Sequence, residues 1–363
     1  MAQQIDRVVV LPNVGDSRLG ACRSFTFDFY YSIESIRQSS PNITFITQDQ
    51  FLLWNQEMKA VRAEMPTAYI VKSSMKNDIQ MPKFESKLLK FKTYRRKFCL
   101  QSFDYLKYDD RQGQVLEHSI RMPSTPLEQQ AKTEISQAVI NALQSVKSEV
   151  MLMCYRSWIL DIPHQPAPLV YADHLIERAK AAATLLYPYI AIHWRMETAM
   201  PDKLFRCSRN LVDYIHDIKA KTGIDNVYIS TDYPIDGRPH SGTFSELTKE
   251  HHRAADLLEN NLNLYTWARI NSSLPFLNNT KLLSYGNNSD VNEQGAFAIT
   301  EKLILVYANW FVSGPRKCCR FGSSYTGQVV RERAKVIKSQ TNMDGNNALW
   351  NLRDWWTEIR QAH

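Results

Sequence analysis

The chain has 363 residues, 44% hydrophobic and 22% charged, and 44 Lys and Arg against 37 Asp and Glu give it a net charge of +7. These proportions exclude a disordered chain, a collagen-like repeat and a disulfide-held miniature, and the length suits two domains of about 150 residues each. The basic balance invites a polyanionic partner: nucleic acid, a membrane surface, or a phosphate-bearing small molecule.

Residues 8–11 form a short apolar run closed by Pro12, which predicts a buried strand. A loop carrying Gly15 and Gly20 follows, then a helix over about residues 21–37. A second strand is expected at 43–46, a second helix at 48–62 and a third strand at 67–71. Residues 72–130 are rich in Lys, Tyr, Asp and Arg without periodicity and read as irregular connections. The run from Glu149 to Cys154 predicts another buried strand. Pro163, Pro166 and Pro168 then fix an extended segment that marks a domain boundary.

Beyond it the pattern is regular. Helices expected at 171–186, 201–221, 244–259, 294–308 and 324–338 alternate with strands at 190–194, 227–230, 262–267 and 310–313. Four such alternations argue a parallel sheet with helices on both faces. The tail has a Gly-Asn turn and then a helix bearing Trp350, Trp355 and Trp356, expected to bury its indoles against the domain interface. The expected fold class is therefore α/β, with two facing Rossmann-like domains over 1–165 and 166–340 and a Trp-rich helix over 341–363.

No stretch reaches the roughly 18 uninterrupted apolar residues of a membrane span. The longest candidate, residues 303–312, reads as a buried helix running into a strand. The first eleven residues lack a cleavage site and do not make a signal peptide. The expectation is either a cytosolic protein or a chain given without its leader. Six cysteines (Cys22, Cys99, Cys154, Cys207, Cys318 and Cys319) show no C-x-x-C spacing, so buried thiols or one or two bridges are expected instead of zinc or dithiol chemistry. Asn42, Asn271, Asn278 and Asn287 head N-x-S/T triplets, three of them in one polar loop where glycans would be tolerated in a secreted protein.

Ligands of doubly wound sheets bind at the carboxyl ends of the strands, which singles out three places. At 189–198 an apolar strand runs into His193, Arg195 and Glu197, which share one face at period-two spacing. A guanidinium there grips a phosphate bidentately, with a histidine beside it; the alternative is a solvated strand end. At 227–232 a buried strand ends in Asp232, which either accepts from a ribose or base or caps the next segment. At 320–327 a glycine, Ser323 and Ser324 open a helix, a phosphate cradle of backbone N–H groups and dipole or a plain serine cap. Gly15 and Gly20 have P-loop spacing without the Lys that must follow. No Asp-x-Asp pair offers a platform for a sugar-nucleotide metal.

Together these blocks resemble the three conserved segments of GDP-fucose protein O-fucosyltransferases, a superfamily that includes the α1,6-fucosyltransferases. The Ile-x-His-x-Arg strand, the Val-Tyr-Ile-Ser-Thr-Asp strand and the closing segment from Ser323 to Arg333 carry the resemblance, over about residues 188–335. The His-Trp-Arg-x-Glu-Thr version is similar to fungal members. The resemblance implies a GT-B fold and inverting, metal-independent transfer from GDP-fucose to a hydroxyl of a glycoprotein or glycan acceptor. The donor would sit mainly on the C-terminal domain, with no further cofactor.

By the same resemblance Arg195 binds the diphosphate beside His193, while Ser323, Ser324, Tyr325 and Thr326 meet the phosphates or fucose. Glu301 stands where the family contacts the nucleoside, and Asp232 joins the donor set. The loop with Asn13, Gly15, Asp16, Arg18 and Gly20 resembles the family's first motif; Ala21 replaces an asparagine that some members carry. Asp16 and Glu197 are then the carboxylates to weigh as base, with Arg195 stabilising the departing diphosphate. The family's setting is the lumen of the secretory pathway, with the cytoplasm as the alternative for a chain showing no leader or membrane segment. Another GT-B donor sugar, or a non-catalytic sugar-nucleotide or glycan-binding module, are the competing readings. Nucleic acid is not expected as a partner.

Overall fold

The computed structural model describes residues 7–11, 14–15, 24–61, 68–74, 115–121, 150–154, 169–235 apart from 198, 246–274 apart from 272, 294–313, 318 and 324–341, with helical residues 133, 136, 137, 140, 141 and 144. They divide into two units, one of residues 1–15, 22–96 and 100–172, the other of 16–21, 97–99 and 173–363. The expected proline linker and Trp-rich tail lie outside the described residues.

In the first unit, β1 (Val9–Leu11) pairs in parallel with β4 (Phe45–Thr47), which leads into α3 (Gln48–Val61). β2 (Val14–Gly15) meets β3 (Ser24–Phe25) antiparallel, Gly15 opposite Ser24, at the root of the glycine-bearing loop. A third sheet is parallel, with β5 (Ala68–Ser74) between β6 (Val115–Arg121) and β7 (Val150–Cys154). β5 is the strand expected at 67–71, carried on to Ser74, and β6 corrects the expectation of irregular chain over 72–130, because it pairs through its backbone despite side chains with no clean alternation.

The single helix expected over 21–37 is also corrected. It is broken into β3, α1 (Phe27–Tyr30) and α2 (Ile33–Ser39). Tyr31 leaves helical geometry to bridge Tyr171, and Ser32 restarts the helix by accepting from the Ser35 amide. Phe25, Phe29 and Tyr30 pack ring on ring beneath the break.

The second unit is a doubly wound parallel sheet of order β10-β9-β8-β11, where β8 is Tyr189–Trp194, β9 Asn226–Thr231, β10 Leu264–Tyr265 and β11 Trp310–Ser313. Period-two alternation sorts the side chains of β8 and β9. Ile190, Ile192, Trp194, Val227 and Ile229 pack with Leu204, Leu211 and Ile215 of α5 (Pro201–Thr222) and with Ala254 and Leu258 of α6 (Lys249–Asn261). Each of these valine, leucine and isoleucine side chains contributes roughly 1.5–3 kcal/mol by leaving water. The intervening residues face the opposite layer: Tyr189 donates to the Ile304 carbonyl of α8 (Gln294–Tyr307) at 2.6 Å.

Helix α4 (Asp173–Leu186) precedes the sheet, and α9 (Ser324–Thr341) follows it. α5 starts at a proline and ends at Gly223, whose φ of 70° closes the helix in the left-handed region. Arg333 of α9 donates through Nη1 to the carbonyls of Leu305, Val306 and Ala308, capping the end of α8. The strand expected over 262–267 is shorter: Trp267 opens a helix, α7 (Trp267–Asn271). The helix expected from 244 begins at Lys249, behind a Thr248 cap that His251 completes. Among the described residues no helix is long and apolar enough to cross a membrane.

Candidate functional site

β8 is the first strand of its sheet. The chain winds outward from it through β9 to β10, then returns by α8 to lay β11 on its other side. The crevice at the carboxyl ends of β8 and β11 is therefore the topological switch point, where adjacent loops diverge and leave room for a ligand. Across that end Ser313, His193 and Ser230 stand in register, all buried.

His193 points toward the α8–α9 layer. Its Nδ1 shares a hydrogen bond of 2.8 Å with Thr326 Oγ1, and its ring lies 4.8 Å from that of Tyr325. Tyr325 in turn donates to the Ala298 carbonyl of α8 at 3.2 Å. These contacts bring the first turn of α9 to the end of β8. Burial, reinforced by the neighbouring Arg195 guanidinium, pushes His193 down to about 4, so the ring is neutral near pH 7.

After Trp194 the chain makes a turn that carries Arg195 and Glu197, whose side chains form an ion pair. Glu197 is buried, with 4% of its side chain exposed, while Arg195 keeps 25%. Glu197 Oε2 has no hydrogen-bond partner among the described residues. Asp232, just past β9, holds this turn from behind. Its Oδ1 accepts the Met196 amide at 2.7 Å and its Oδ2 the Glu197 amide at 3.0 Å. Burial raises Asp232 to about 6, against the lowering by those two amides.

Glu301 of α8 lies under the same strand end, buried, accepting from Tyr228 at 3.1 Å and Ser230 at 3.2 Å. Ser324 is the first residue of α9. The structure thus gathers His193, Arg195, Glu197, Asp232, Glu301, Tyr325 and Thr326 at one end of one sheet. Gly15 belongs to the first unit, in β2. Asn13, Asp16, Arg18, Gly20 and Ser323 lie outside the described residues.

Two features had no sequence signal strong enough to find them. Cys207 of α5 and Cys318 form a disulfide across 111 residues of sequence, a pairing that spacing does not encode. The Trp194 indole donates to the Cys318 carbonyl at 3.1 Å. The bonding of Tyr228 and Ser230 to Glu301 is the second: Glu301 was singled out through the resemblance, but that it meets these two hydroxyls was not readable. Among the described residues no group of three or more His, Cys, Asp or Glu side chains converges as metal ligands do.

Fold and site together define the second unit as a Rossmann-type α/β unit with a histidine, an arginine and a helix start at its switch point. Among solved structures the chain is similar to POFUT1. The apo form is 14% identical with a TM-score of 0.47, over 92% of this chain and 88% of that one. POFUT1 in complex with GDP-fucose gives 14% and 0.48 in one crystal form, over 92% and 86% of the two chains, and 13% and 0.45 in another, over 92% and 87%. No protein-family model and no curated protein matches the chain.

Proposed function

We propose that the chain is a glycosyltransferase that moves fucose from GDP-fucose to a hydroxyl of a protein or glycan acceptor, with inversion, without a metal ion, and within a GT-B-like pair of domains. One observation carries this reading. Three blocks far apart in sequence, ending in Arg195, Asp232 and the α9 start, meet at the switch point through the His193–Thr326 and Asp232–turn hydrogen bonds. They are the same three blocks whose order resembles the fucosyltransferases.

The chemistry follows from charge. Breaking the bond between fucose and the diphosphate leaves negative charge on the leaving oxygens. In this reading Arg195 and the amides of the first turn of α9 receive it, without moving charges in from water. The acceptor hydroxyl attacks the opposite face of the anomeric carbon and its proton passes to a carboxylate. In this reading Glu197, engaged with Arg195, aims the guanidinium, and Asp16 is the base. Glu301, bonded to Tyr228 and Ser230, supports the floor beneath the nucleoside. The disulfide supports a place in an oxidising compartment, the secretory lumen.

Isothermal titration of GDP and GDP-fucose tests the reading. Micromolar binding of both, unchanged by EDTA, with fucose transfer to an acceptor panel, is expected. A folded protein that binds neither overturns it, and binding without transfer to any acceptor leaves a sugar-nucleotide-binding module.

A further inference from the structure

We infer that the Cys207–Cys318 disulfide is a positioning pair for the phosphate site, so that nucleotide binding depends on its oxidation. The inference rests on the nucleotide reading above for its ligand, and on the following geometry for its mechanism.

Cys207 lies on the buried face of α5, the helix that begins just after the Arg195–Glu197 turn. Cys318 lies between β11 and α9 in sequence, and its side chain joins the core cluster around Ile192 and Trp194. The two Cα atoms are 5.6 Å apart. Trp194, the residue between His193 and Arg195, donates its indole N–H to the Cys318 carbonyl. One covalent link therefore closes a ring that runs from the end of β8 through the Arg195 turn and α5 to Cys318, and back to β8 through Trp194.

That ring passes through Trp194, the neighbour in sequence of both His193 and Arg195. The start of α9 is held by Thr326 on His193 and by Tyr325 on Ala298. The disulfide thus reaches α9 through Trp194 and its neighbour His193. Reduction by a dithiol breaks the S–S bond. The reductant gives two electrons and two protons, Cys207 and Cys318 become thiols, and the reductant closes to its own disulfide. Among the described residues Cys318 then keeps its hydrogen bond from Trp194 and its packing in the core, without the covalent link.

The test compares the oxidised full chain, the chain reduced with dithiothreitol, and Trp194→Phe with the disulfide intact. Each is titrated with GDP and followed by hydrogen exchange in the first turn of α9. Reduction is expected to weaken GDP about tenfold and speed exchange at 324–328, with circular dichroism unchanged and both effects reversed on reoxidation. Trp194→Phe is expected to shift both readouts the same way by a smaller factor. Equal GDP affinity and equal exchange in oxidised and reduced protein overturn the inference. Should reduction unfold the chain, an unaltered Trp194→Phe overturns it instead. If the oxidised chain binds no GDP, the nucleotide reading fails, and the exchange arm alone then decides whether the disulfide positions α9.

Discussion

His193 and Thr326 are 133 residues apart in sequence, yet their Nδ1 and Oγ1 atoms are 2.8 Å apart in a buried bond. It is the point where the end of β8 grips the start of α9. Thr326→Val keeps the shape and removes the hydroxyl, leaving a buried ring nitrogen unpaired. GDP affinity is expected to fall about tenfold with a stability loss of about 1–3 kcal/mol, and Thr326→Ser should restore both. Titration and urea denaturation on the three proteins check this; full affinity in the valine variant would place the bond outside the binding site.

Arg195 keeps a quarter of its side chain exposed, beside a buried carboxylate. Arg195→Ala removes the charge proposed to meet the leaving diphosphate, and turnover is expected to fall by about 10²–10³. Arg195→Lys should recover little of it, because a lysine cannot present two parallel N–H groups. Steady-state kinetics with GDP-fucose would register the difference.

Glu197→Gln separates aiming from proton transfer. The amide keeps the size of the side chain and can still bond to Arg195, but the negative charge next to the proposed diphosphate site is gone. Tighter GDP binding, by roughly three- to tenfold at low salt, is the expected result, with turnover retained to within that factor. A collapse of turnover at unchanged affinity would instead make Glu197 the base, displacing Asp16.

Asp232 and His193 impose opposite pH dependences on stability. Folding raises Asp232 to about 6 from 3.8, so between those values the native chain holds the extra proton and this group adds stability as pH falls. Folding lowers His193 to about 4 from 6.5, so there the unfolded chain holds the extra proton and stability is lost as pH falls. The two slopes nearly cancel from pH 4 to 6. Asp232→Asn unmasks the histidine: relative to wild type, its stability should fall by about 1.4 kcal/mol per pH unit on acidification through that window. It should also weaken GDP at every pH, because an asparagine accepts only one of the Met196 and Glu197 amides. Denaturation midpoints of the two proteins from pH 4 to 7 decide the matter.

The second unit was legible in the sequence because its strands are short apolar runs and its helices carry proline, glycine and lysine at the right ends. Ile190 and Ile192 announced β8, and His193 and Arg195 stood out as polar residues at its exit. The first unit was less legible. β6 carries Glu117, His118 and Arg121 among its apolar residues, so the pairing that makes it a strand is long-range and leaves no period to read. Aromatic packing of Phe25, Phe29 and Tyr30 likewise overrode the helical pattern around it. At the site, the residue types were readable but their bonding was not. Asp232 was weighed as a ribose contact or a cap, and it accepts the backbone of a turn 35 and 36 residues earlier in sequence. Such a partner is set by strand adjacency, which only the sheet order reveals.

The same sheet order explains Arg333, whose weight falls on stability. Its Nη1 reaches three carbonyls at the end of α8, at 2.8, 2.9 and 2.8 Å, with 3% of the residue exposed. A helix end leaves carbonyl groups without intrahelical donors, and α8 ends one residue short of Ala308, directly before β11. Water cannot satisfy those oxygens in the core, so a cation does, aided by the negative end of the helix dipole. Arg333→Met preserves most of the packed volume and withdraws the donors. The carbonyls of Leu305, Val306 and Ala308 are then buried without that partner, at an expected cost of about 3 kcal/mol. Because α8 carries Glu301 and α9 carries Thr326, the strain should also reach the site. Urea denaturation is expected to show the stability loss, and GDP titration well below the melting transition a loss of affinity smaller than that of Thr326→Val. A loss larger than the Thr326→Val effect would show that Arg333 sets the position of α9 more than His193 does.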